Sequence, residues 1–334
     1  MTARRRFCQA LEGPSGADRV VGPMVAADHA AHLAGLPVSQ VVRHADLLAG
    51  ALTEAHRLYQ GDFVVVFADV CVEAEAMGCR LEFPHHAPPH VLRTLAPEEL
   101  RSTDPRRDGR LPLMLEVAAQ VARGVGDDVP VFASIKDPFS AAALACGTED
   151  FLALLVTDPD LARQALDRAL ANQARYAGAL LDLGLDLLVG APLASGGIVG
   201  PKHFADFIFE PICELMSIIR RRERLGGVHL CGEADPVLDQ LARLPAHFLS
   251  LESFDPARWK RLAEAGPTPA MMGWFPTGLL LDGTPEAIAA EAAREIADMA
   301  GYPHLLATAC DVPQFSPPEK VLAFVRAGRA GGKE

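Results

Sequence analysis

The sequence lacks the excess of basic residues that a general nucleic-acid-binding protein needs. Lysines and arginines number 31 against 43 aspartates and glutamates, which gives a formal net charge of -12 at pH 7. Phosphate recognition relies on basic patches, and the dense basic runs are confined to residues 4–6 and 220–224. We therefore expect no nucleic-acid partner.

No segment has the composition of a membrane span or a secretory signal. The longest charge-free apolar stretch, LLVGAPLASGGIVGP at residues 187–201, is interrupted by glycine and proline. A membrane-spanning helix needs about 20 consecutive apolar residues. The N-terminal sequence MTARRRFCQALEGPSGADR becomes polar almost at once, unlike a signal peptide. We predict a cytoplasmic protein that does not insert into a membrane.

The cysteines also lack the regular spacing of a disulfide-rich secreted domain. Seven are scattered along the chain, at positions 8, 71, 79, 146, 213, 231 and 310. Most are expected to be small buried side chains. Internal repeats, low-complexity tracts and linkers are lacking as well, so residues 1–334 are expected to form a single domain.

Eight short apolar runs alternate with segments of helical periodicity. They begin near residues 20, 63, 130, 185, 226, 247, 270 and 304. Strands that alternate with helices pair in parallel, and nearly continuous apolar strands indicate that both faces of the sheet are covered. We predict a (β/α)8 TIM barrel with N-terminal and loop additions, with a doubly wound open sheet as the alternative.

Helix starts are marked by a capping residue followed by proline. Five such pairs are present: Asp158-Pro159, Asp235-Pro236, Asp255-Pro256, Thr284-Pro285 and Ser316-Pro317. The longest connection, residues 71–109, follows the second strand and is predicted to cross the barrel mouth. It carries His85, His86 and His90, which indicate either a metal-binding cluster or, as we favour, a flexible exposed loop.

Metal-binding side chains occur at the ends of two predicted strands. His229 and Cys231 lie two residues apart in GGVHLCG, and alternate residues of a strand point to the same side. Cys310 is the other cysteine at the end of a barrel strand, in ATACDVP. Active sites of TIM barrels lie where strands end, so these three residues are the predicted ligands of one ion.

One imidazole and two thiolates suit Zn²⁺, and three protein ligands leave a fourth position open for a substrate sulfur. A zinc-bound thiol loses its proton near neutral pH and becomes a strong nucleophile. The competing interpretation is that a short H-x-C motif carries no metal and that the cysteines belong to the core.

Lys136, in SIKDPF, also follows a predicted strand. It is a candidate to bind an anionic group of the substrate, such as a sulfonate, carboxylate or phosphate. A surface lysine, or one paired with Asp137, is the alternative.

The chain resembles the uroporphyrinogen decarboxylase superfamily, and within it the zinc-containing cobamide-dependent methyltransferases. The resemblance rests on four stretches in order: FADVCVEAEAMGC at 67–79, GGVHLCG at 226–232, GTPEAI at 283–288 and ACDVPQFSPPEKV at 309–321. It implies a methyltransferase that uses Zn²⁺ and moves a methyl group between a corrinoid, such as methylcobalamin, and a small thiol. A corrinoid carrier usually contains D-x-H-x-x-G, which this sequence lacks, so the corrinoid is expected to be free or on a partner protein.

The same resemblance assigns a role to Asp69, which matches the aspartate of the decarboxylases' F-S-D-like motif. It would be catalytic, positioning the substrate or supporting the metal ligands, or it would be a structural carboxylate that caps the loop after the second strand.

Two departures separate the sequence from true uroporphyrinogen decarboxylases. The segment after the first strand, VVGPMVAADHAAHL, has no arginine where they carry an R-Q-A-G-R-Y type motif, and Cys310 stands where they have histidine. Both departures favour thiol chemistry over a decarboxylase-like lyase. Zinc-thiolate transfer to an epoxide, a homocysteine-dependent variant, and a non-enzymatic tetrapyrrole- or corrinoid-protein-binding module with structural zinc stay open.

Overall fold

The chain folds into a barrel of eight parallel strands surrounded by helices. The computed structural model describes residues 1–14, 16 and 18–330. Its ten strands are β1 Val21–Met24, β2 Val64–Val66, β3 Arg80–Glu82, β4 His90–Arg93, β5 Val131–Lys136, β6 Asp186–Ala191, β7 Gly226–Glu233, β8 Phe248–Ser253, β9 Ala270–Met272 and β10 His304–Asp311. All eight predicted strands are confirmed.

The strand order decides between the two predicted architectures. The large sheet runs β1-β10-β9-β8-β7-β6-β5-β2, and its neighbours pair in parallel. The first strand therefore pairs with the last, as in a barrel and not in an open sheet. Beside β1 and β2, the amide of Asp62 donates to the carbonyl of Val21 at 2.9 Å and that of Ala27 to Phe67 at 3.1 Å. These contacts nearly close the barrel and confirm the (β/α)8 prediction.

Helices cover the outside of the sheet. In the described part of the chain they are α1 Ala3–Glu12, α2 Ala27–Leu33, α3 Val38–Val41, α4 Ala45–Tyr59, α5 Val72–Met77, α6 Leu111–Val125, α7 Pro138–Cys146, α8 Thr148–Thr157, α9 Pro159–Asp182, α10 Gly196–His203, α11 Phe209–Arg221, α12 Leu238–Leu241, α13 Pro256–Ala265, α14 Gly278–Asp282, α15 Pro285–Asp298 and α16 Pro318–Ala330. Short 3-10 helices lie at Pro97–Glu99 and Asp235–Val237, and a π-helix at Phe204–Ile208.

The N-terminal helix α1 closes the end of the barrel where the strands begin. The buried ring of Phe7 packs against Phe63, Phe132 and Phe248, with centroids 5.9, 5.2 and 5.6 Å away. These three partners lie within one residue of the first residue of their strands. Aromatic packing of this kind seals the lower end of the barrel and leaves the opposite end for chemistry.

The long connection after β2 is more structured than the predicted loop. It contains α5 and an antiparallel hairpin of β3 and β4, whose connecting residues include His85 and His86. The backbone carbonyl of His86 accepts from the Gln314 side chain at 3.1 Å. The hairpin is thereby joined to the loop that follows β10.

Three of the five predicted helix caps form as expected. The side chains of Asp158, Asp255 and Thr284 accept hydrogen bonds from the first turns of α9, α13 and α15. The prediction at Ser316 is wrong, because α16 starts at Pro318 and the buried hydroxyl of Ser316 has no partner among the described residues. The prediction at Asp235 is also wrong, because that residue lies inside a 3-10 turn that begins after Ala234.

Within the described part of the chain, no single helix has the length and apolar composition needed to cross a membrane. Helices α7 and α8 meet that test only jointly, as a pair bent by 110°.

Candidate metal centre

Strand β7 carries two of the predicted ligands to the carboxyl end of the barrel. His229 is buried and Cys231 is half-buried, and the Nε2 atom of the histidine lies 3.3 Å from the Sγ atom of the cysteine. Both side chains face the same side because they are two residues apart on an extended strand. Gly232 follows with φ +71°, a left-handed conformation that favours glycine and turns the backbone away.

Cys310 reaches the same point from the end of β10. The ligand atoms of His229, Cys231 and Cys310 all lie within 4.8 Å of one another. One imidazole nitrogen and two sulfurs at this spacing fit a soft or borderline ion such as Zn²⁺. The structure therefore brings together the three residues that the sequence singled out, although they come from strands 79 positions apart in the chain.

The electrostatics of the three groups are coupled. The pKa of Cys310 is raised above the usual thiol range, mainly by its contact with the Cys231 thiol and secondly by burial. His229 acts in the opposite direction and lowers this pKa. Burial lowers the pKa of His229, but its contact with Cys310 and the nearby carboxylate of Asp311 outweigh burial, so the net shift is upward. Cys310 thus raises the pKa of the imidazole, and His229 lowers the pKa of the thiol.

A cavity of about 120 Å³ opens beside these ligand atoms. It is mostly apolar, and no arginine lines it among the described residues. Its walls are formed by Met24, Val65, Phe67, Val70, Ser134, Lys136, Leu188, Gly190, Pro192, His229, Cys231, Cys310 and Asp311. Pockets for drug-sized ligands measure about 300–1,000 Å³. This cavity has room for a small substrate group only.

Lys136 supplies the basic group of the cavity. It is the last residue of β5, it is only 3% exposed, and its Nζ atom lies 4.4 Å from the centroid of the Phe67 ring. Among the described residues, it makes no ion pair within 4.0 Å. The carboxylate of Asp137 instead accepts from the amides of Phe139 and Ser140 at the start of α7. The alternatives of a surface lysine or an ion pair with Asp137 are therefore wrong, while substrate binding stays a prediction.

Asp69 lies outside the walls of this cavity. Its carboxylate accepts from Arg110 Nη1 at 2.6 Å and Nη2 at 3.1 Å, and from the amide of Cys71 at 2.9 Å. The contact with the Cys71 amide is the one expected of a carboxylate that caps the loop after β2. The catalytic role of Asp69 stays a prediction.

The loop histidines do not join the metal centre. His85 and His86 are exposed, and the Nδ1 atom of His85 lies 2.8 Å from the Nε2 atom of His86. The Nε2 atom of His90 lies 3.2 Å from a carboxylate oxygen of Glu82. Among the described residues, the one group of three metal-binding side chains is the cluster at the ends of β7 and β10.

Sequence reasoning missed three residues of the site. Asp311 lines the cavity, and burial raises its pKa to about 6. The Oγ atom of Ser250 lies 3.0 Å from the Nδ1 atom of His229 and 3.9 Å from the Sδ atom of Met24. Asp311 could have been found from the sequence, because it directly follows the predicted ligand Cys310. The other two could not, because their roles depend on which strands are neighbours.

The fold and the site together define a (β/α)8 barrel with three side chains that could hold a metal ion at the carboxyl end of its strands. Residues 2–330 match the family uroporphyrinogen decarboxylase (URO-D). The match covers nearly the whole chain, so this protein belongs to the uroporphyrinogen decarboxylase family, which confirms the resemblance predicted from its motifs.

Curated relatives include both methyltransferases and decarboxylases. Methylcobamide:CoM methyltransferase MtaA of Methanosarcina barkeri is 27% identical over 265 residues, which cover 77% of this chain and 76% of that protein. Uroporphyrinogen decarboxylase of Gluconobacter oxydans is 26% identical over 294 residues, covering 82% and 80%. Both relatives are enzymes, which supports an enzymatic role for this chain.

Among solved structures, a methyltransferase from Methanosarcina mazei superposes with a TM-score of 0.86. The match covers 98% of both chains at 24% identity. At that identity the likeness establishes the fold, and the function has to be argued from the site.

Proposed function

We propose that this protein is a zinc-dependent methyltransferase that moves a methyl group between a corrinoid and a small thiol activated as a zinc thiolate. The observation that carries the proposal is the convergence of His229, Cys231 and Cys310 beside a cavity. The methylcobamide:CoM methyltransferases among the relatives support both the corrinoid and the thiol.

Three protein ligands leave one coordination position for the substrate, as in catalytic zinc sites. When bound, Zn²⁺ would act as a Lewis acid that lowers the pKa of a thiol from its ordinary value of about 8.5. The chain would contribute the two thiolates and the imidazole that hold the ion, and the apolar wall that limits access of water.

Lys136 is proposed to bind an acidic group of the same thiol substrate. Its ammonium group is buried in the cavity wall and makes no ion pair among the described residues, so an anion would recover the interaction energy that burial costs. The face of Phe67 stabilises the ammonium group and limits where it can move.

The corrinoid is proposed to approach from the barrel mouth, either as free methylcobalamin or on a partner protein. A cavity of about 120 Å³ accommodates a thiol but not a macrocycle. The sequence has no D-x-H-x-x-G element of its own, which is consistent with a separate carrier.

The proposal is tested by zinc-edge X-ray absorption together with a methyl-transfer assay. Purified protein is loaded with zinc and measured with and without a small anionic thiol, using methylcobalamin as methyl donor. We expect one additional sulfur scatterer when the thiol is added, and methylation of the thiol. An unchanged first shell during turnover would contradict the role assigned to zinc.

The same preparation is assayed with uroporphyrinogen, because decarboxylases are also among the relatives. No arginine lines the described cavity, and bidentate arginine contacts are what orient a polycarboxylate. We expect no useful conversion to coproporphyrinogen. Robust conversion would favour the lyase over the methyltransferase.

A further inference from the structure

The imidazole of His229 uses both of its nitrogen atoms. Nε2 faces the thiols, 3.3 Å from Cys231 Sγ, and Nδ1 lies 3.0 Å from the hydroxyl oxygen of Ser250. The contact with Ser250 follows from the sheet register, because His229 on β7 is paired directly with Ser250 on β8. Ser250 is completely buried, so water does not compete for its hydroxyl group.

Ser250 has a second neighbour that can accept the proton of its hydroxyl group. Its Oγ atom lies 3.9 Å from the Sδ atom of Met24, at the end of β1. A thioether has no proton and can only accept, so a hydrogen bond between these two atoms has the serine hydroxyl as its donor. The lone pairs of the hydroxyl oxygen then accept from the other neighbour, and a proton is held on Nδ1 of His229.

This direction matters because a neutral imidazole has one proton for two nitrogens. With the proton on Nδ1, Nε2 carries the lone pair that a metal requires, and it faces Cys231 and Cys310. With the serine hydroxyl reversed, the proton would lie on Nε2 and block coordination.

We propose that Met24 and Ser250 are positioning residues that hold His229 in its metal-binding tautomer, with Met24 acting through the hydroxyl of Ser250. The inference rests on the proposed function only in taking zinc as the ion. Partners of metal-bound histidines typically change metal affinity by about 10- to 100-fold when they are removed.

The test is a double-mutant cycle on zinc affinity, measured by competition with a chromophoric chelator. Ser250→Ala should weaken zinc binding by about tenfold or more. Met24→Leu, which nearly conserves volume, should weaken binding in the same direction by less, because the hydroxyl can then reverse. The double variant should bind zinc no more weakly than Ser250→Ala, because Met24 has no effect without the hydroxyl.

The control variant is Ser316→Ala. It removes another buried serine hydroxyl, but one without a hydrogen-bond partner among the described residues. Its zinc affinity should equal that of the unaltered protein, and circular dichroism should show that all four variants are folded. Additive losses from Met24→Leu and Ser250→Ala would overturn the coupling between them.

Long-range proton–nitrogen NMR of the zinc-loaded protein reports the tautomer directly, independently of turnover. We expect His229 to be protonated on Nδ1 and metal-bound through Nε2, with faster exchange of the Nδ1 proton in Ser250→Ala. Binding of zinc through Nδ1 would overturn the inference. If the unaltered protein bound no zinc at all, the proposed function would fail as well, whereas unchanged affinity in Ser250→Ala would refute the positioning role alone.

Discussion

The carboxylate of Asp69 and the guanidinium group of Arg110 form a buried, bidentate ion pair. Their nitrogen–oxygen distances are 2.6 and 3.1 Å, and Arg110 also donates to Glu75 at 2.6 Å. The ring of Phe83, between β3 and β4, packs 5.0 Å from the guanidinium carbon. The arginine thus joins the loop after β2 to the hairpin that follows it.

Breaking this pair is expected to destabilise the protein strongly. Arg110→Met leaves the Asp69 carboxylate buried without its cation, which typically costs about 3–5 kcal/mol in the free energy of unfolding. Urea denaturation measures the loss. Arg222→Met, which removes an exposed pair with Asp182, is the control and should cost less than about 1 kcal/mol. Equal losses in the two variants would contradict the structural importance of Asp69–Arg110.

The catalytic role predicted for Asp69 is tested separately, with the variant Asp69→Asn. If the carboxylate takes part in turnover, kcat should fall by about 100-fold or more in protein that is still folded. If it only supports the loop, kcat per folded molecule should be retained while the free energy of unfolding falls. Activity is therefore normalised to the folded fraction measured by circular dichroism.

Zinc content should depend on Cys310. We expect the purified protein to contain close to one zinc per chain, and Cys310→Ala to lose most of it, because two remaining ligands bind too weakly. Elemental analysis by mass spectrometry measures the ratio. Cys213→Ala removes a half-buried cysteine on α11 that is not among the three clustered side chains, and this variant should keep its zinc. Full zinc in Cys310→Ala would mean that the ligands are assigned incorrectly.

Lys136 should determine which thiols are used. Removing the cation in Lys136→Met should raise KM for an anionic thiol by about 10- to 100-fold, the usual worth of a charge-assisted contact. KM for an uncharged thiol of similar size should change little, which provides the internal control. Steady-state kinetics with the two thiols gives the comparison. A similar rise for both would show that the lysine shapes the cavity and does not recognise charge.

The free energy of unfolding should depend on pH through the ionisation of Asp137. Complete burial raises its pKa from 3.8 to about 6, although the hydrogen bonds from Ser140 and Phe139 oppose the shift. The folded state therefore binds the proton more tightly than the unfolded state. This contribution to stability is greatest below about pH 4 and is lost as the pH rises through about 6.

Asp137→Asn keeps a side-chain oxygen for the first turn of α7 but has no charge to bury. Relative to the unaltered protein, this variant should gain about 2 kcal/mol between pH 4 and pH 7, since one pKa unit corresponds to about 1.4 kcal/mol and the unfolded-state carboxyl is already partly ionised at pH 4. Urea denaturation at both pH values measures the gain. Asp158→Asn, at the exposed cap of α9, should show a smaller change. A gain of the opposite sign would show that the ionised form of Asp137 is favoured in the fold.

Local sequence patterns were sufficient for the strands and for part of the candidate metal centre. Apolar runs such as FVVVFAD and HLLATACD contain the signal for buried parallel strands within a few residues. The separation of His229 and Cys231 by one residue places both side chains on one side of any strand. Counting strands added Cys310, because the carboxyl ends of all barrel strands meet at one end.

Tertiary structure alone decided the contacts that depend on strand neighbours and register. Nothing in HFLSLES distinguishes Ser250 from any other strand serine, and its hydrogen bond to His229 exists because β7 and β8 pair in one particular register. Arg110 follows a charged segment typical of an exposed loop, yet it is buried against Asp69, 41 positions earlier. Ser316 has the sequence of a helix cap, but the chain path places the helix start two residues later. Sequence patterns record preferences over a few residues, whereas these contacts are set by the packing of segments that are distant in the chain.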